Sequence, residues 1–433
     1  MRPEGTVARV ETQDRATLHI VVASVHLIDY HVTWKYKHFA NPFKMSRPTI
    51  KSICLKKSRW AILLTPIWSL ALSATGGEVP PVLSIQLEKA QKPGDIAFSF
   101  EKPVGYDSFI QLSDDLSQWS FASRFWPGDG DREWVAFVKE NDRTFYRQAA
   151  YPVTPETWVT AAANTARAEY RIFKSEAVER PVSFHVYLPA AYSTNVEKHF
   201  PVLYWLHGSG AGIEGITALC NYFGNAMDEG KTPPMIIVFP NGLANGMWCD
   251  SKDGLTPIES IVIDDLIPFV DANFRTIASR EGRIIEGFSM GGYGAGRLGL
   301  KYAALFRAFS MMGAGPLQYP DFLVNDPNLN PLPLRQMIFE KVYGSDMEYY
   351  QTQSPWRLAE QEAGSLPRDL SIRILIGDED SMLDNNRALS DYFVELGIAH
   401  QYRELPGVGH QPMLTLIAIG SENWDFYRSV FGE

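Results

Sequence analysis

The chain has 433 residues, a formal net charge of −10 at pH 7 and a hydrophobic fraction of 45%. This length exceeds one ordinary domain, so we expect two folded units, or one unit with extensions. The acidic balance argues against a nucleic-acid-binding protein, which needs a basic face. Three cysteines are too few for a disulfide framework, and the sequence shows no cluster of zinc ligands.

Residues 45–75 have the pattern of a secretory signal peptide. Four basic residues between 51 and 59 precede an apolar run over 60–74, and small residues follow. The run is short for a membrane span, so we expect no stable membrane insertion after cleavage; an uncleaved anchor or a buried helix is the alternative. Because a signal peptide normally begins a chain, we expect translation to start at Met45 and residues 1–44 to be a non-native extension. The pattern predicts a secreted or periplasmic protein.

Cleavage of this signal would remove Cys54 and leave Cys220 and Cys249. An oxidising compartment would permit one disulfide between the two remaining cysteines. Two separate buried thiols are the alternative interpretation.

Residues 80–150 predict a small all-β module. Apolar and polar residues alternate along short runs, which is typical of half-buried strands. The runs cover 96–100, 108–112 and 134–138. The segments 113–119 and 145–147 resemble those of small β-sandwich modules in secreted bacterial proteins, which implies a sandwich-like architecture.

The tryptophans of this module, Trp119, Trp126 and Trp134, permit two interpretations. They are either core residues or an exposed surface that binds sugar. The core interpretation is favoured, because a domain this small must bury its largest apolar groups. Two prolines at 152 and 155 then predict a linker over 151–165.

From 166 to 433 the pattern changes to strands that alternate with helices, which predicts an α/β domain with a doubly wound, mostly parallel sheet. Continuous apolar runs at 202–206 and 235–239 are typical of strands covered on both faces. Further strands are predicted at 182–188, 283–286, 306–312, 372–376 and 399–405, and helices at 260–274 and 387–396. We expect Pro268 to kink the first of these helices.

The sequence Gly287-Phe288-Ser289-Met290-Gly291 lies between a predicted strand and a helix of small residues. A strand, a G-x-S-x-G turn and a helix form the nucleophile elbow of an α/β-hydrolase. The glycines leave room for a strained serine and allow the helix to pack close to the sheet. A motif this short also occurs by chance, so the hypothesis that Ser289 is a nucleophile needs partners for it.

A serine nucleophile needs a base and an orienting acid, and in this fold they follow in the order serine, acid, histidine. Only His410 lies in a loop after the last predicted strand, where the base belongs. The acid is expected just after the strand at 372–376. Four carboxylates qualify by position: Asp378, Glu379, Asp380 and Asp384.

An oxyanion hole requires two backbone N–H groups directed at the developing negative charge. Met290, immediately after the nucleophile, supplies one. The glycine-rich loop at 206–212 supplies the other, from Ser209, which we favour, or from Gly208. We interpret His207 of this loop as structural.

Three segments, 200–208, 234–242 and 287–292, resemble the α/β-hydrolase family described as Putative esterase. This family includes feruloyl and acetylxylan esterases of carbohydrate esterase family 1, S-formylglutathione hydrolases and mycolyltransferases. The similarity spans roughly residues 169–431. The leading β-module and the stretch at 318–334 depart from the family, and this departure puts the identity of the substrate in doubt.

The resemblance also implies the site residues. The family pattern G-x-x-D matches 377–380 and selects Asp380 as the acid, and G-x-G-H matches 407–410 and selects His410. The residue after the HG pair and the residue after the nucleophile imply Ser209 and Met290 as the oxyanion donors.

Together these features predict a secreted serine esterase that removes feruloyl or acetyl groups from plant-type polysaccharide or a smaller ester, without a metal or an organic cofactor. Trp248, Asp250 and Glu259 are candidates for sugar binding; loop packing and helix capping are the alternative. The competing functions are an acyltransferase of the mycolyltransferase type and a non-catalytic glycan-binding protein on the same fold. An intracellular S-formylglutathione hydrolase conflicts with the export signal. The sequence predicts no oligomeric state.

Overall fold

The computed structural model describes residues 145–210, 212–315 and 332–432, together with nine shorter stretches upstream. These stretches are 7–11, 17–21, 23–25, 62–63, 85–88, 96–100, 106–113, 118–121 and 134–136. The chain divides into two compact units, Met1–Pro155 and Glu156–Glu433.

All elements described in the first unit are β-strands. They are β1 (Val7–Glu11), β2 (Thr17–Val21), β3 (Ala23–Val25), β4 (Ile62–Leu63), β5 (Ile85–Glu88), β6 (Ile96–Phe100), β7 (Tyr106–Ser113), β8 (Ser120–Phe121), β9 (Trp134–Ala136) and β10 (Phe145–Pro152). They form three sheets with the orders β1-β2-β4, β3-β10-β7-β8 and β5-β6-β9. Phe109, Phe121 and Tyr151 are buried together, with the ring centroids of Phe109 5.7 and 5.9 Å from the other two.

Several sequence predictions fall largely outside the described residues. The predicted signal peptide at 45–75 is described only at Ile62–Leu63, so it stays a prediction. Trp119 is half-buried, whereas Trp126 and the side chain of Trp134 are outside the described part. Of the segment predicted as a linker, the first two residues belong to β10, and the boundary between the units follows Pro155.

The second unit contains an eight-stranded sheet in its described residues. Its strands are β11 (Ala168–Ser175), β12 (Arg180–Tyr187), β13 (Val202–Leu206), β14 (Ile236–Pro240), β15 (Arg283–Phe288), β16 (Ala308–Met312), β17 (Ser371–Gly377) and β18 (Gln401–Leu405). The order is β11-β12-β14-β13-β15-β16-β17-β18. β11 pairs with β12, and β12 with β14, in antiparallel fashion, and the remaining pairs are parallel. The predicted doubly wound, mostly parallel sheet is confirmed.

The apolar runs of the central strands are buried on both faces of this sheet. In β13, Val202, Tyr204 and Leu206 belong to one hydrophobic cluster, whereas Leu203 and Trp205 belong to another. Successive side chains of a strand point to opposite faces, so each face of β13 contributes to a separate core. Because the parallel strands share one direction, their carboxyl ends lie at one edge of the sheet, where α/β proteins bind ligands.

Helices cover both faces. They are α1 (Ala190–Thr194), α2 (Ile216–Asp228), α3 (Ile258–Ser260), α4 (Ile267–Asn273), α5 (Met290–Lys301), α6 (Leu332–Lys341), α7 (Met347–Gln353), α8 (Pro355–Glu362), α9 (Leu383–Glu395), α10 (Pro412–Ala418) and α11 (Ser421–Phe431), with a short 3₁₀ turn at Arg280–Gly282. None of the helices in the described part of the chain combines the length and apolar character that crossing a membrane requires.

The helix predicted over 260–274 is divided by a π-helical segment, Ile261–Leu266, between α3 and α4. Pro268 is the second residue of α4, two positions after the end of this segment. Proline has no N–H and its ring clashes with the preceding turn, so a regular helix cannot continue through it. The wider π turn accommodates both constraints. The expected irregularity is therefore present, as a π segment.

A buried ion pair joins β15 to β17. The Glu286 and Arg373 side chains, 0% and 2% exposed, are 2.8 Å apart. Each charge has further partners: Tyr427 donates to Glu286 at 2.7 Å, and the Arg373 guanidinium donates to Ser310 Oγ at 3.0 Å and to Asn423 Oδ1 at 2.9 Å. These additional hydrogen bonds offset part of the desolvation of both charges, which an isolated buried pair would not achieve.

We expect Arg373→Met to lower the free energy of unfolding by about 3–5 kcal/mol, because it leaves the Glu286 carboxylate buried without its counter-charge. The matched control is Arg357→Met, since Arg357 forms an exposed ion pair with Glu360. That change should lower the free energy of unfolding by no more than about 1 kcal/mol. Urea unfolding followed by far-UV circular dichroism measures both, and equal midpoints for the two variants would contradict the prediction.

Candidate active site

Ser289 occupies a strained turn between β15 and α5. Its φ is 58° and its ψ is −119°. Such a conformation costs a side-chain-bearing residue on the order of 1–3 kcal/mol and persists only where the surroundings fix it. Two hydrogen bonds fix it here: the Ser289 N–H donates to Met312 O at 2.9 Å, and Tyr293 N–H donates to Ser289 O at 3.0 Å. The predicted elbow geometry is present.

The glycines of the motif allow this turn to pack directly on the end of β13. A Cβ at Gly291 would lie 1.9 Å from the Leu206 carbonyl oxygen, and a Cβ at Gly287 would lie 2.5 Å from the same atom. Both distances are shorter than real Cβ contacts, so no larger residue fits without displacing backbone. The elbow and the strand that precedes the glycine-rich loop are therefore in contact through their main chains.

His410 bridges Ser289 and Asp380. Its Nε2 is 2.9 Å from Ser289 Oγ, and its Nδ1 is 2.8 Å from Asp380 Oδ2. The His410 side chain is 39% exposed, whereas that of Asp380 is 1% exposed. An ionised carboxylate only accepts hydrogen bonds, so it favours the tautomer with the proton on Nδ1 and leaves Nε2 to accept from the serine. This arrangement can transfer the serine proton to the imidazole.

Among the four candidate acids, the structure places only Asp380 against His410. Its second oxygen, Oδ1, accepts from Met382 N–H at 2.9 Å. The Asp378 side chain instead accepts from Gly407 N–H at 2.7 Å. Glu379 is exposed, and the Asp384 side chain is 94% exposed and pairs with Arg387.

The loop that carries the candidate acid, Asp380, is hydrogen-bonded to the loop that carries the candidate base, His410. Asp378 N–H donates to Leu405 O, and Glu379 N–H donates to Val408 O, both at 3.0 Å. A Cβ at Gly377 would lie 1.8 Å from the Val408 carbonyl oxygen, so the two main chains are in direct contact. The separation of Asp380 and His410 is therefore set by backbone contacts rather than by the two side chains alone.

The residues predicted to form the oxyanion hole lie beside Ser289. Met290 is the first residue of α5, so its N–H has no acceptor within the helix and lies at the positive end of the helix dipole. Ser209 Oγ is 3.9 Å from Met290 Sδ, which places the glycine-rich loop next to this helix start. A Cβ at Gly208 would lie 3.3 Å from Ser289 Cβ. Ser209 is exposed.

His207 shapes the glycine-rich loop from inside the protein. Burial lowers the pKa of His207 to about 4, so the ring is neutral at pH 7. Its Nδ1 lies 2.7 Å from Gly208 O, and Gly242 N–H donates to its Nε2 at 3.1 Å. Both ring nitrogens are thus used in backbone hydrogen bonds, which agrees with the structural interpretation of this residue.

The structure contradicts the prediction that Trp248 and Glu259 contact a sugar. Trp248 is 0% exposed and Glu259 is 3% exposed. Although burial would raise the pKa of Glu259, the Arg297 guanidinium and neighbouring hydrogen bonds lower it to about 2. Asp250 is half-buried and caps the start of the next helix: its oxygens accept from the Ser260 N–H at 3.0 Å and the Ser260 hydroxyl at 2.7 Å. Packing and capping explain all three residues.

The two remaining cysteines are separate thiols. Cys220 and Cys249 are both buried and free, so the alternative with a disulfide is wrong. Burial raises the pKa of each thiol to about 12. The stretch at 318–334, which departs from the family pattern, lies outside the described residues except for its last three, which begin α6.

Sequence reasoning missed Asn386, a fully buried residue of α9. Its side-chain amide donates to Ala314 O at 2.7 Å and to Met382 O at 2.8 Å. It thereby ties the residue that hydrogen-bonds Asp380 to the end of β16. The sequence around it has an ordinary helical pattern and carried no signal of this contact.

Comparison with known proteins gives a family and several relatives. The sequence profile of the family described as Putative esterase matches residues 175–411. The chain is similar to esterase Rv1288 of Mycobacterium tuberculosis, with 37% identity over 147 residues, 33% of this chain and 30% of that protein. It is also similar to an endo-1,4-beta-xylanase/feruloyl esterase of Xylanibacter ruminicola, with 32% identity over 153 residues, 33% of this chain and 21% of that protein. The chain thus matches less than a third of the length of each of these two relatives.

A third curated relative, an acetyl esterase of Caldicellulosiruptor saccharolyticus, is 25% identical over 245 residues, 53% of this chain and 80% of that protein. Among solved structures, a ferulic acid esterase is 24% identical with a TM-score of 0.51, covering 61% of this chain and 98% of its own. An S-formylglutathione hydrolase from Agrobacterium tumefaciens is 19% identical with a TM-score of 0.51, covering 63% and 99%. These structures confirm the predicted α/β-hydrolase fold.

We expect Ser289→Gly to be more stable than Ser289→Ala by about 1 kcal/mol, because glycine adopts a positive φ without the steric cost that a Cβ adds. Both variants lack the hydroxyl, so the comparison isolates the backbone strain. The difference is measured by urea unfolding of the two proteins. A glycine variant less stable than the alanine variant would mean that the turn is not strained.

Proposed function

Because the chain belongs to the Putative esterase family, we propose that it is a serine carboxylic-ester hydrolase with Ser289, His410 and Asp380 as its catalytic triad. The observation that carries this proposal is the position of His410, with one ring nitrogen 2.9 Å from Ser289 Oγ and the other 2.8 Å from Asp380 Oδ2. A nucleophile, a base and an orienting acid in that arrangement are what acyl transfer through a serine requires.

The proposed reaction has two steps. Ser289 Oγ attacks the acyl carbon while His410 Nε2 takes its proton, and Asp380 stabilises the resulting imidazolium. The N–H groups of Met290 and Ser209 stabilise the oxyanion of the tetrahedral intermediate. His410 then gives its proton to the leaving alcohol, and water hydrolyses the acyl-enzyme through the same base. The reaction as proposed uses no metal or organic cofactor.

The proposed substrates are feruloyl or acetyl esters of a plant-type polysaccharide. The names of two relatives, a xylanase/feruloyl esterase and an acetyl esterase, support this class of substrate. The predicted signal peptide at 45–75 supports a secreted or periplasmic enzyme, which would meet such a polymer outside the cell.

Replacing the nucleophile tests the proposal most directly. Ser289→Ala should lower the turnover of a p-nitrophenyl ester by up to about a millionfold, because the attacking oxygen is lost. The wild-type protein should react with a fluorophosphonate probe, and the variant should not. If Ser289→Ala keeps wild-type turnover, another group carries the reaction and the proposed mechanism is wrong.

A screen on feruloylated and acetylated xylan, beside simple aryl esters, tests the substrate. Ferulate or acetate release at a higher kcat/KM than from the aryl esters supports the polysaccharide assignment. Product analysis with and without an added sugar acceptor tests hydrolysis itself, because an acyltransferase would produce an acylated sugar. Acylated acceptor as the main product would contradict a hydrolase.

A pair of substitutions at Ser209 tests the oxyanion assignment. Ser209→Ala keeps the backbone N–H and should leave kcat within about twofold of wild type. Ser209→Pro removes that N–H and should lower kcat by about 10²–10³-fold. Melting temperatures of the two variants control for misfolding. Equal kcat values for the two folded variants would contradict the role of the Ser209 amide.

A further inference from the structure

Trp248 lies between the two parts of the protein that carry the oxyanion donors. On one side, its indole N–H donates to His207 O at 3.1 Å, and the two rings pack edge to face with centroids 4.9 Å apart. On the other side, its indole packs on α5, where a Cβ at Gly294 would lie 2.5 Å from the ring. The Arg297 guanidinium of α5 donates to the Trp248 carbonyl at 2.6 Å. Trp248 thus contacts the glycine-rich loop through its side chain, and α5 through both its side chain and its main-chain carbonyl.

We propose that Trp248 is a positioning residue that sets the separation of the Ser209 and Met290 amides, acting through His207 and α5. This inference rests on the proposed function, since it assigns a role within the same oxyanion hole. Trp248 itself touches neither substrate nor the reacting atoms, because it is fully buried.

The connection from Trp248 to the Ser209 amide passes through the main chain of the glycine-rich loop. The Trp248 indole N–H donates to the carbonyl oxygen of His207, which is two residues before Ser209. His207 Nδ1 lies 2.7 Å from Gly208 O, and His207 Nε2 accepts a hydrogen bond from Gly242 N–H at 3.1 Å. One residue beyond Ser209, the Gly210 N–H donates to Ala244 O at 2.9 Å. Ser209 is therefore held from both sides.

The connection from Trp248 to the Met290 amide passes through α5. Met290 begins this helix, and Arg297 lies two turns further along it, 0% exposed. Arg297 is fixed by an ion pair of 2.5 Å with the buried Glu259, so its contact with the Trp248 carbonyl is rigidly placed. A rigid helix transmits that placement to its own first residue.

The backbone of Trp248 also indicates that its orientation is imposed. Trp248 and the preceding Met247 have φ values of 53° and 51°. Bulky residues rarely adopt a positive φ, and such strain persists where surrounding contacts over-determine the conformation. The contacts that do so here are those to His207, Gly294 and Arg297. Oxyanion stabilisation depends steeply on donor placement, since a displacement of about 1 Å can cost about 10²-fold in rate.

Trp248→Phe tests the proposal, because it keeps an aromatic ring and removes the indole N–H. We expect kcat on a p-nitrophenyl ester to fall about 10- to 100-fold, with KM within about twofold of wild type. Affinity for a boronic acid that forms a tetrahedral adduct with Ser289 should fall by a similar factor, since the adduct uses the oxyanion hole. A residue with only a structural role would not link these two losses.

The matched control is Trp424→Phe, a buried tryptophan of α11 in a different hydrophobic cluster, which should keep kcat within about twofold of wild type. Circular dichroism and melting temperature check the fold of each variant. If Trp248→Phe does not fold, benzothienylalanine at position 248, an isostere of tryptophan without the N–H, gives the same test.

Two outcomes would overturn the inference: a kcat within twofold of wild type, or a fall in kcat without loss of boronic acid affinity. Ser289→Ala, measured in parallel, separates this inference from the proposed function. An inactive Ser289→Ala beside a wild-type-like Trp248→Phe overturns only the positioning role. An active Ser289→Ala overturns the triad itself.

Discussion

The main-chain contact between the elbow and the end of β13 is the constraint on which the rest of the site depends. No Cβ fits at Gly291, because it would lie 1.9 Å from the Leu206 carbonyl oxygen. This contact places the start of α5 beside the loop that follows Leu206. The proposed nucleophile and both proposed oxyanion donors therefore come from two segments that share one backbone interface. Their geometry is a property of the sheet, not of flexible side chains.

The proposed acid, Asp380, and the proposed base, His410, are fixed by a second set of buried contacts. The Glu286–Arg373 pair joins the strand that leads to Ser289 to the strand that leads to Asp380. Backbone hydrogen bonds between 378–379 and 405–408 then place the His410 loop against the acid loop. Three residues that are far apart in sequence thus meet because strands and loops, rather than the three side chains, hold the distances. The proposed triad requires this rigidity, since proton transfer requires hydrogen-bond distances to be maintained.

The sequence predicted those parts of the site that depend on local pattern. The elbow requires only a strand, a glycine-flanked serine and a helix, and the base follows from the order of elements. Position alone left four candidate acids, because the choice of Asp380 depends on a contact with a residue 30 positions away. Because their side chains suit a sugar, Trp248 and Glu259 are candidates for sugar binding from the sequence alone. Both side chains are buried in the structure and cannot contact a sugar. The loop around Trp248 has no periodic pattern from which its burial could be predicted. The ion pair of Glu286 was not predictable from the sequence either, because Glu286 lies in an apolar strand, 87 residues before its partner Arg373.

The residues that would contact a substrate are exposed, whereas the residues that orient them are buried. This difference determines which residues can change with the substrate. Ser209 is exposed and the His410 side chain is 39% exposed, whereas Asp380, Asn386 and Trp248 are buried. The orienting residues also belong to the hydrophobic core and its hydrogen bonds, so changing them costs stability as well as activity. Exposed residues around the site do not contribute to the hydrophobic core, so changing them need not lower stability. Under the proposed function, a change of substrate therefore requires substitutions only among exposed residues and leaves the proposed triad and its buried supports constant.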